Sequence, residues 1–141
     1  MLVAIPLLLI PVVLYNLVVL FGRDPATGAV DGDALLRDPI VTLPMASGAQ
    51  WSVGAGDLIL FVGLILLFFE LVKSTSSQRA AIVNHALSMV LFIAVLIEFL
   101  LLRGFATSTF FLIGVMVLLD VLAGFIVTII ASRRDFDMDR A

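Results

Sequence analysis

The sequence contains no cysteine, one histidine and few charged residues, since Asp, Glu, Lys and Arg make up only 13% of its 141 residues. Without cysteine there can be no disulfide, thiolate nucleophile or cysteine metal site, so a metal would depend on His85 and carboxylates alone. The eight Lys and Arg residues are scattered along the chain and form no basic stretch for a phosphate backbone. We therefore expect no cofactor, no metal and no nucleic-acid partner.

Apolar residues, by contrast, are far more abundant than in a soluble protein. They make up 62% of the chain, whereas soluble domains average roughly 45–50% apolar and about 25% charged residues. A chain of this length has too little interior to bury so much apolar surface, and the excess must face lipid or other helices. The composition predicts an integral membrane protein.

Four apolar segments are each long enough to cross a hydrocarbon core of about 30 Å. They are residues 1–22, 53–72, 80–102 and 105–132. The predicted fold class is therefore an all-α membrane protein, a bundle of four transmembrane helices with a small β-hairpin in the external loop between the first two. The first segment has no Lys or Arg before its apolar run and no small-residue cleavage site, so we expect a retained helix rather than a signal peptide. Pro11 removes a backbone donor and is expected to kink this helix.

The positive charges predict the orientation of these spans. With four spans, the N-terminus, the turn at residues 73–79 and the tail at residues 133–141 share one side of the membrane. That side holds five of the eight Lys and Arg residues, and the other side holds Arg23, Arg37 and Arg103. The positive-inside rule then places both termini in the cytoplasm. The tail mixes charges of both signs and is expected to be disordered or bound to a partner.

The external loop at residues 23–56 is predicted to be ordered. Residues 40–45 and 50–53 are short β-prone runs around a turn that contains Gly48, and Pro44 restricts the first run to an edge strand. Residues 33–37 could add one helical turn on the membrane surface. Trp51, the only tryptophan, is expected at the lipid interface, with its ring half buried and its N–H in water.

Asp120 is the deepest ionisable residue, near the middle of the fourth segment. A central Asp costs ~2.5–3.5 kcal/mol on insertion and needs a partner, a water or a proton. It shares a helix face with Gly124, and Thr128 and Ala131 lie on one flank, which is typical of a packing face. Three roles remain open: a buried hydrogen bond that fixes helix register, a proton or ion relay, and a contact with a partner protein.

The third segment carries a stripe of polar residues. Asn84, Ser88 and Glu98 fall on one face at 100° per residue, so we expect this face to point inward. Glu98 is about one turn from Arg103, and the simplest role for it is an interfacial ion pair. Asn16 in the first segment is expected to hydrogen-bond to another helix.

Glu70 and His85 lie at similar depth on either side of the 73–79 turn. A Glu–His contact there could admit protons or act as a pH-sensitive latch. The alternative is that Glu70 pairs with Lys73, three residues on, while His85 caps local backbone or faces lipid headgroups. The sequence leaves both readings open.

Three short segments carry a resemblance to known proteins. The segments GFATSTFF at 104–111, DVLAGF at 120–125 and WSVGAGD at 51–57 resemble those of small four-helix inner-membrane proteins of proteobacteria. This resemblance implies a location in the bacterial inner membrane, with the loop at residues 23–56 in the periplasm, and it implies no activity. The layout also looks like that of the claudin-type tetraspans, but the chain lacks their paired loop cysteines and GLW-type signature.

The function expected from these features is non-catalytic. The leading hypothesis is an accessory or assembly subunit that binds lipid and the other subunits of a larger membrane complex, or further copies of itself. The alternative is an oligomeric unit for proton- or ion-coupled permeation that uses Asp120. A membrane enzyme is disfavoured because no His-rich or paired-carboxylate site lies near an interface.

Overall fold

The computed structural model describes residues 5–22, 27, 31–73 and 78–138, except for the side chains of residues 78–81, 128 and 131–138. The chain is mostly helical, with one small two-stranded sheet. In chain order the elements are α1 (Leu9–Phe21), α2 (Gly32–Arg37), β1 (Pro39–Pro44), β2 (Gln50–Gly54), α3 (Ala55–Lys73), α4 (Gln78–Leu101) and α5 (Ser108–Met138).

Three of the helices are long and apolar enough to cross a membrane, which indicates a membrane location. The stretches concerned are Ala55–Lys73, Ile82–Leu101 and Ser108–Val127. Helix α1 is also apolar but has only 13 residues. The helical class and the small sheet predicted from the sequence are thus confirmed, together with three stretches of spanning length.

Helix α1 begins later than its apolar run, and proline is the reason. Pro11 lies in the first turn, where a backbone N–H would have no partner within the helix. The Leu7 carbonyl, which such an N–H would contact, accepts instead from Ile10 N at 3.0 Å. Pro11 therefore helps to start the helix, and the predicted kink in mid-helix is wrong.

Helices α4 and α5 form an antiparallel pair with a constant register. Phe99 meets Phe111 near one end, with ring centroids 5.8 Å apart. Towards the other end Ser88 bonds to Asp120. Helix α3 runs parallel to α5, and a Cβ added at Gly63 would lie 3.0 Å from the Met116 sulfur. Small residues thus bring helices close together, as is common in membrane bundles.

Helix α5 begins at Ser108 because Thr107 caps it. The Thr107 hydroxyl accepts from Phe110 N at 3.2 Å, as an N-cap residue does. Just before it, Gly104 has a φ of +90°, which turns the chain back after α4. At its other end α5 continues as helix to Met138. The backbone of residues 133–138 is therefore helical and not disordered, and the alternative of a partner-bound tail stays a prediction.

The segment between α1 and α3 is ordered from residue 31. Asp31 caps α2 by accepting from Ala34 N at 3.1 Å, and Arg37 pairs with Asp33 at 2.9 Å. The apolar side chain of Leu36 is buried beneath this short helix. The predicted hairpin is present, with β1 and β2 antiparallel and Gly48 at a φ of +82° in the turn.

Candidate functional site: polar contacts between the helices

A cluster of polar contacts surrounds Glu70, whose side chain is fully buried near the end of α3. One carboxylate oxygen accepts from the backbone N–H of Leu7 at 2.7 Å. The other accepts from the Asn84 amide on α4 and from the Lys73 ammonium at 3.1 Å. Glu70 therefore ties the segment before α1 and the start of α4 to α3.

Lys73 completes this cluster. Its ammonium donates to the carbonyl of Ile5 at 2.8 Å and to the amide oxygen of Asn84 at 2.9 Å, in addition to Glu70. The carboxylate and the ammonium thus share one partner, Asn84, and neutralise each other. A buried ion pair is tolerated only when further hydrogen bonds satisfy both groups, and that condition is met here.

The proposed contact between Glu70 and His85 does not form. Glu70 pairs with Lys73, as the alternative predicted, and its partner on α4 is Asn84, one residue earlier than expected. His85 packs instead against Gly124 of α5, where an added Cβ would lie 2.5 Å from Nδ1. Its Nδ1 is buried without a hydrogen-bond partner. The expectation that His85 caps backbone or faces headgroups is therefore wrong for this nitrogen.

Asp120 is buried between α4 and α5. Its carboxylate accepts from the hydroxyl of Ser88 at 2.6 Å. This contact matches the geometry of a register-fixing hydrogen bond, because it joins two helices and is sheltered on all sides. The flanking Thr128 and Ala131 side chains, expected on the same stripe, lie outside the described residues.

Glu98, the third carboxylate, bonds to α1 rather than to the nearby arginine. Its side chain accepts from the Asn16 amide at 3.2 Å, and Asn16 also donates to the Val12 carbonyl at 3.1 Å. Within the described part of the chain, no ion pair joins Glu98 to Arg103, whose side chain is exposed. Asn16 thus forms the hydrogen bond to another helix that was expected of it, and its partner is Glu98.

A further polar contact was not anticipated from the sequence. The hydroxyl of Tyr15 on α1 donates to the Gly104 carbonyl at 2.9 Å and lies 2.6 Å from the Thr107 hydroxyl. The ring packs on Phe105 and Phe110, with centroids 5.4 and 4.6 Å away. The available signal was a lone tyrosine in an apolar helix, since a buried Tyr needs a partner for its hydroxyl.

Glu70, Glu98 and Asp120 share one feature: each accepts a hydrogen bond from a helix other than its own. Glu70 joins α3 to α4, Glu98 joins α4 to α1, and Asp120 joins α5 to α4. Helix α4 takes part in all three contacts. Among the described residues, no group of three or more His, Cys, Asp or Glu side chains is placed to hold a metal ion. The arrangement is suited to fixing helix positions.

Trp51, the residue expected to contact the membrane surface, lies apart from these contacts on strand β2. It is 53% exposed and pairs across the hairpin with Leu43.

Comparisons of the chain with family models, with curated proteins and with solved structures give no match. The resemblance to proteobacterial inner-membrane proteins therefore stays a prediction.

Proposed function

We propose that this chain is a non-catalytic accessory or assembly subunit of a larger membrane complex. In this proposal it crosses the bacterial inner membrane four times, with both termini in the cytoplasm. The observation that carries it is that three carboxylates of the long helices, Glu70, Glu98 and Asp120, each form a hydrogen bond to another helix. Ionisable groups inside a membrane are costly and mark function by default. Here the cost of each carboxylate is offset by its hydrogen bond to another helix, and these bonds fix the arrangement of the helices.

The contacts at the two ends of α1 support a fourth span. Leu7 bonds to Glu70 near the end of α3, whereas Gly22, at the other end of α1, lies against Leu35 of α2, the short helix that precedes the hairpin and α3. At 1.5 Å per residue, residues 7–22 cover about 22 Å if helical throughout, close to the distance from the start of α3 to Glu70. On this basis the first segment crosses the same depth of membrane as its neighbours, in spite of its short regular helix.

The orientation can be tested with a reporter that is active only outside the cytoplasm. The charge distribution predicts that a fusion after Ala141 gives no signal. A matched fusion at Gly48 should give a strong one, because that hairpin turn is open on all sides. A signal from Ala141 with silence at Gly48 would reverse the orientation.

The outer faces of the helices offer the surface that a subunit needs. Only 22–33% of each membrane-length stretch is buried within the chain. Lipid alone could cover these faces, so an assembly partner must be detected directly. Phe61, Val90 and Phe125 are exposed on α3, α4 and α5 and report on three different helices.

Photocrosslinking in intact membranes tests the proposal at these three positions. A subunit should give a protein adduct of one defined mass from one or two of the positions and lipid adducts from the rest. Sequencing the adduct identifies the partner or a second copy of this chain. Lipid adducts alone from all three positions would contradict an accessory or assembly role.

Variants of Asp120 separate this proposal from proton or ion permeation. Asp120→Asn keeps an acceptor for Ser88, so it should assemble normally, whereas Asp120→Leu should weaken helix packing by roughly 1–2 kcal/mol. An amide cannot bind and release a proton near neutral pH. We expect wild-type proteoliposomes to show no proton flux that depends on Asp120. A reproducible flux that the Asn variant abolishes would favour permeation instead.

A further inference from the structure

The β-hairpin has one apolar and one polar face. Antiparallel partners project to the same side of a sheet, so the pairs Val41 with Val53 and Leu43 with Trp51 lie together. The exposed fractions are 50% for Val41, 41% for Leu43 and 53% for Trp51. We call these four residues the apolar face of the hairpin. Val53 is partly buried, and the other three side chains are exposed.

The opposite face differs in chemistry. It carries the pairs Thr42 with Ser52 and Pro44 with Gln50. The hydroxyls of Thr42 and Ser52 lie 3.5 Å apart, a cross-strand contact that can be made in water. A hairpin with this division of side chains is amphipathic, and amphipathic elements lie flat at a boundary between apolar and aqueous surroundings.

The hairpin is joined rigidly to a helix of membrane-spanning length. Strand β2 ends at Gly54, and α3 starts at the next residue, Ala55. Asp57 in the first turn of α3 accepts from Gly54 N at 2.9 Å, which fixes the junction. Between Asp38 and Asp57 the sequence has no ionisable residue. No charge therefore opposes contact between the hairpin and the membrane that α3 enters.

From this placement we propose that the apolar face of the hairpin inserts into the interfacial region of the lipid bilayer beside the start of α3. A protein partner is the less suitable occupant, because a stable interface uses roughly 20–30 residues on each side and this face has four. Lipid requires no minimum area. Tryptophan is also the side chain most suited to this depth, with an apolar ring and one polar N–H. The inference needs only the membrane location and is independent of any partner complex.

The single tryptophan makes the proposal directly measurable. The full chain is reconstituted in phosphatidylcholine vesicles whose acyl chains carry bromine either near the headgroup or near the chain end, and Trp51 emission is recorded. We expect bromine near the headgroup to remove more of the emission than bromine near the chain end. Acrylamide in the water should quench weakly.

A matched variant moves the tryptophan to the polar face. In the double variant Trp51→Phe, Ser52→Trp the only indole projects to the opposite side of the same strand. Its emission should be quenched by acrylamide and be nearly insensitive to brominated lipid. Equal lipid quenching of both proteins would overturn the assignment to one face.

The wild-type measurement can also refute the proposal by itself. Strong acrylamide quenching without lipid quenching would place the hairpin in water. Insensitivity to both quenchers would place Trp51 under protein, either a second copy of this chain or another subunit. Either result overturns insertion into lipid.

Discussion

Replacing Glu70 with leucine should lower the free energy of unfolding by roughly 3–5 kcal/mol, the range found when one partner of a buried ion pair is removed. The carboxylate is fully buried and accepts from Leu7 N, Lys73 and Asn84. Leucine can accept none of these bonds, and the ammonium of Lys73 would lose its counter-charge. Reversible unfolding in mixed micelles, followed by circular dichroism, measures the difference.

Two further variants show whether charge or hydrogen bonding is responsible. Glu70→Gln keeps one acceptor but no charge, and it should lose less than the leucine variant. The double variant Glu70→Leu, Lys73→Met should regain part of the loss, because replacing both partners of a buried pair by apolar groups is often neutral. If Glu70→Leu unfolded like the wild type, the cluster would contribute nothing to stability.

This cluster also shows where reasoning from sequence ends. Composition and helix length were enough to place Glu70 and the start of α4 at the same depth. They could not distinguish Asn84 from His85, because adjacent residues on a helix differ by 100° in direction. The rotation of α4 is set by how its apolar side chains pack on α5. That packing exists only in the folded protein, so the hydropathy pattern could not decide which of the two residues bonds to Glu70.

Local signals were more informative than long-range ones. The hairpin was predictable because its turn chemistry and alternating residues are local, and its strands lie within one residue of the predicted runs at most ends. The contact of Glu98 with Asn16 was not, since it joins residues 82 positions apart. Glu98 and Asn16 were each recognisable from the sequence as a polar group that needs a partner. Only the arrangement of α1 beside α4 decides which partner each one finds.

At Gly124 the backbone of α5 lies close against the His85 side chain of α4, and adding a side chain there should separate the two helices. A Cβ on Gly124 would lie 2.5 Å from His85 Nδ1 and 3.0 Å from its Cγ. A ring atom so close to the helix cannot move without displacing the ring as a whole. Gly124→Ala should therefore lower the free energy of unfolding by about 1–3 kcal/mol relative to an equivalent substitution with a milder contact, as overpacking does.

Gly114→Ala supplies that equivalent substitution, because it lies on the same helix and the same seam. Its Cβ would meet a single atom, Val95 Cγ1, at 3.3 Å, and it gains the same helix propensity over glycine. We expect Gly114→Ala to be close to the wild type and Gly124→Ala to be clearly less stable. Adding His85→Ala should remove the difference, since Nδ1 has no hydrogen bond to lose. Equal stability of the two alanine variants would show that His85 moves aside freely and that this contact does not hold α4 against α5.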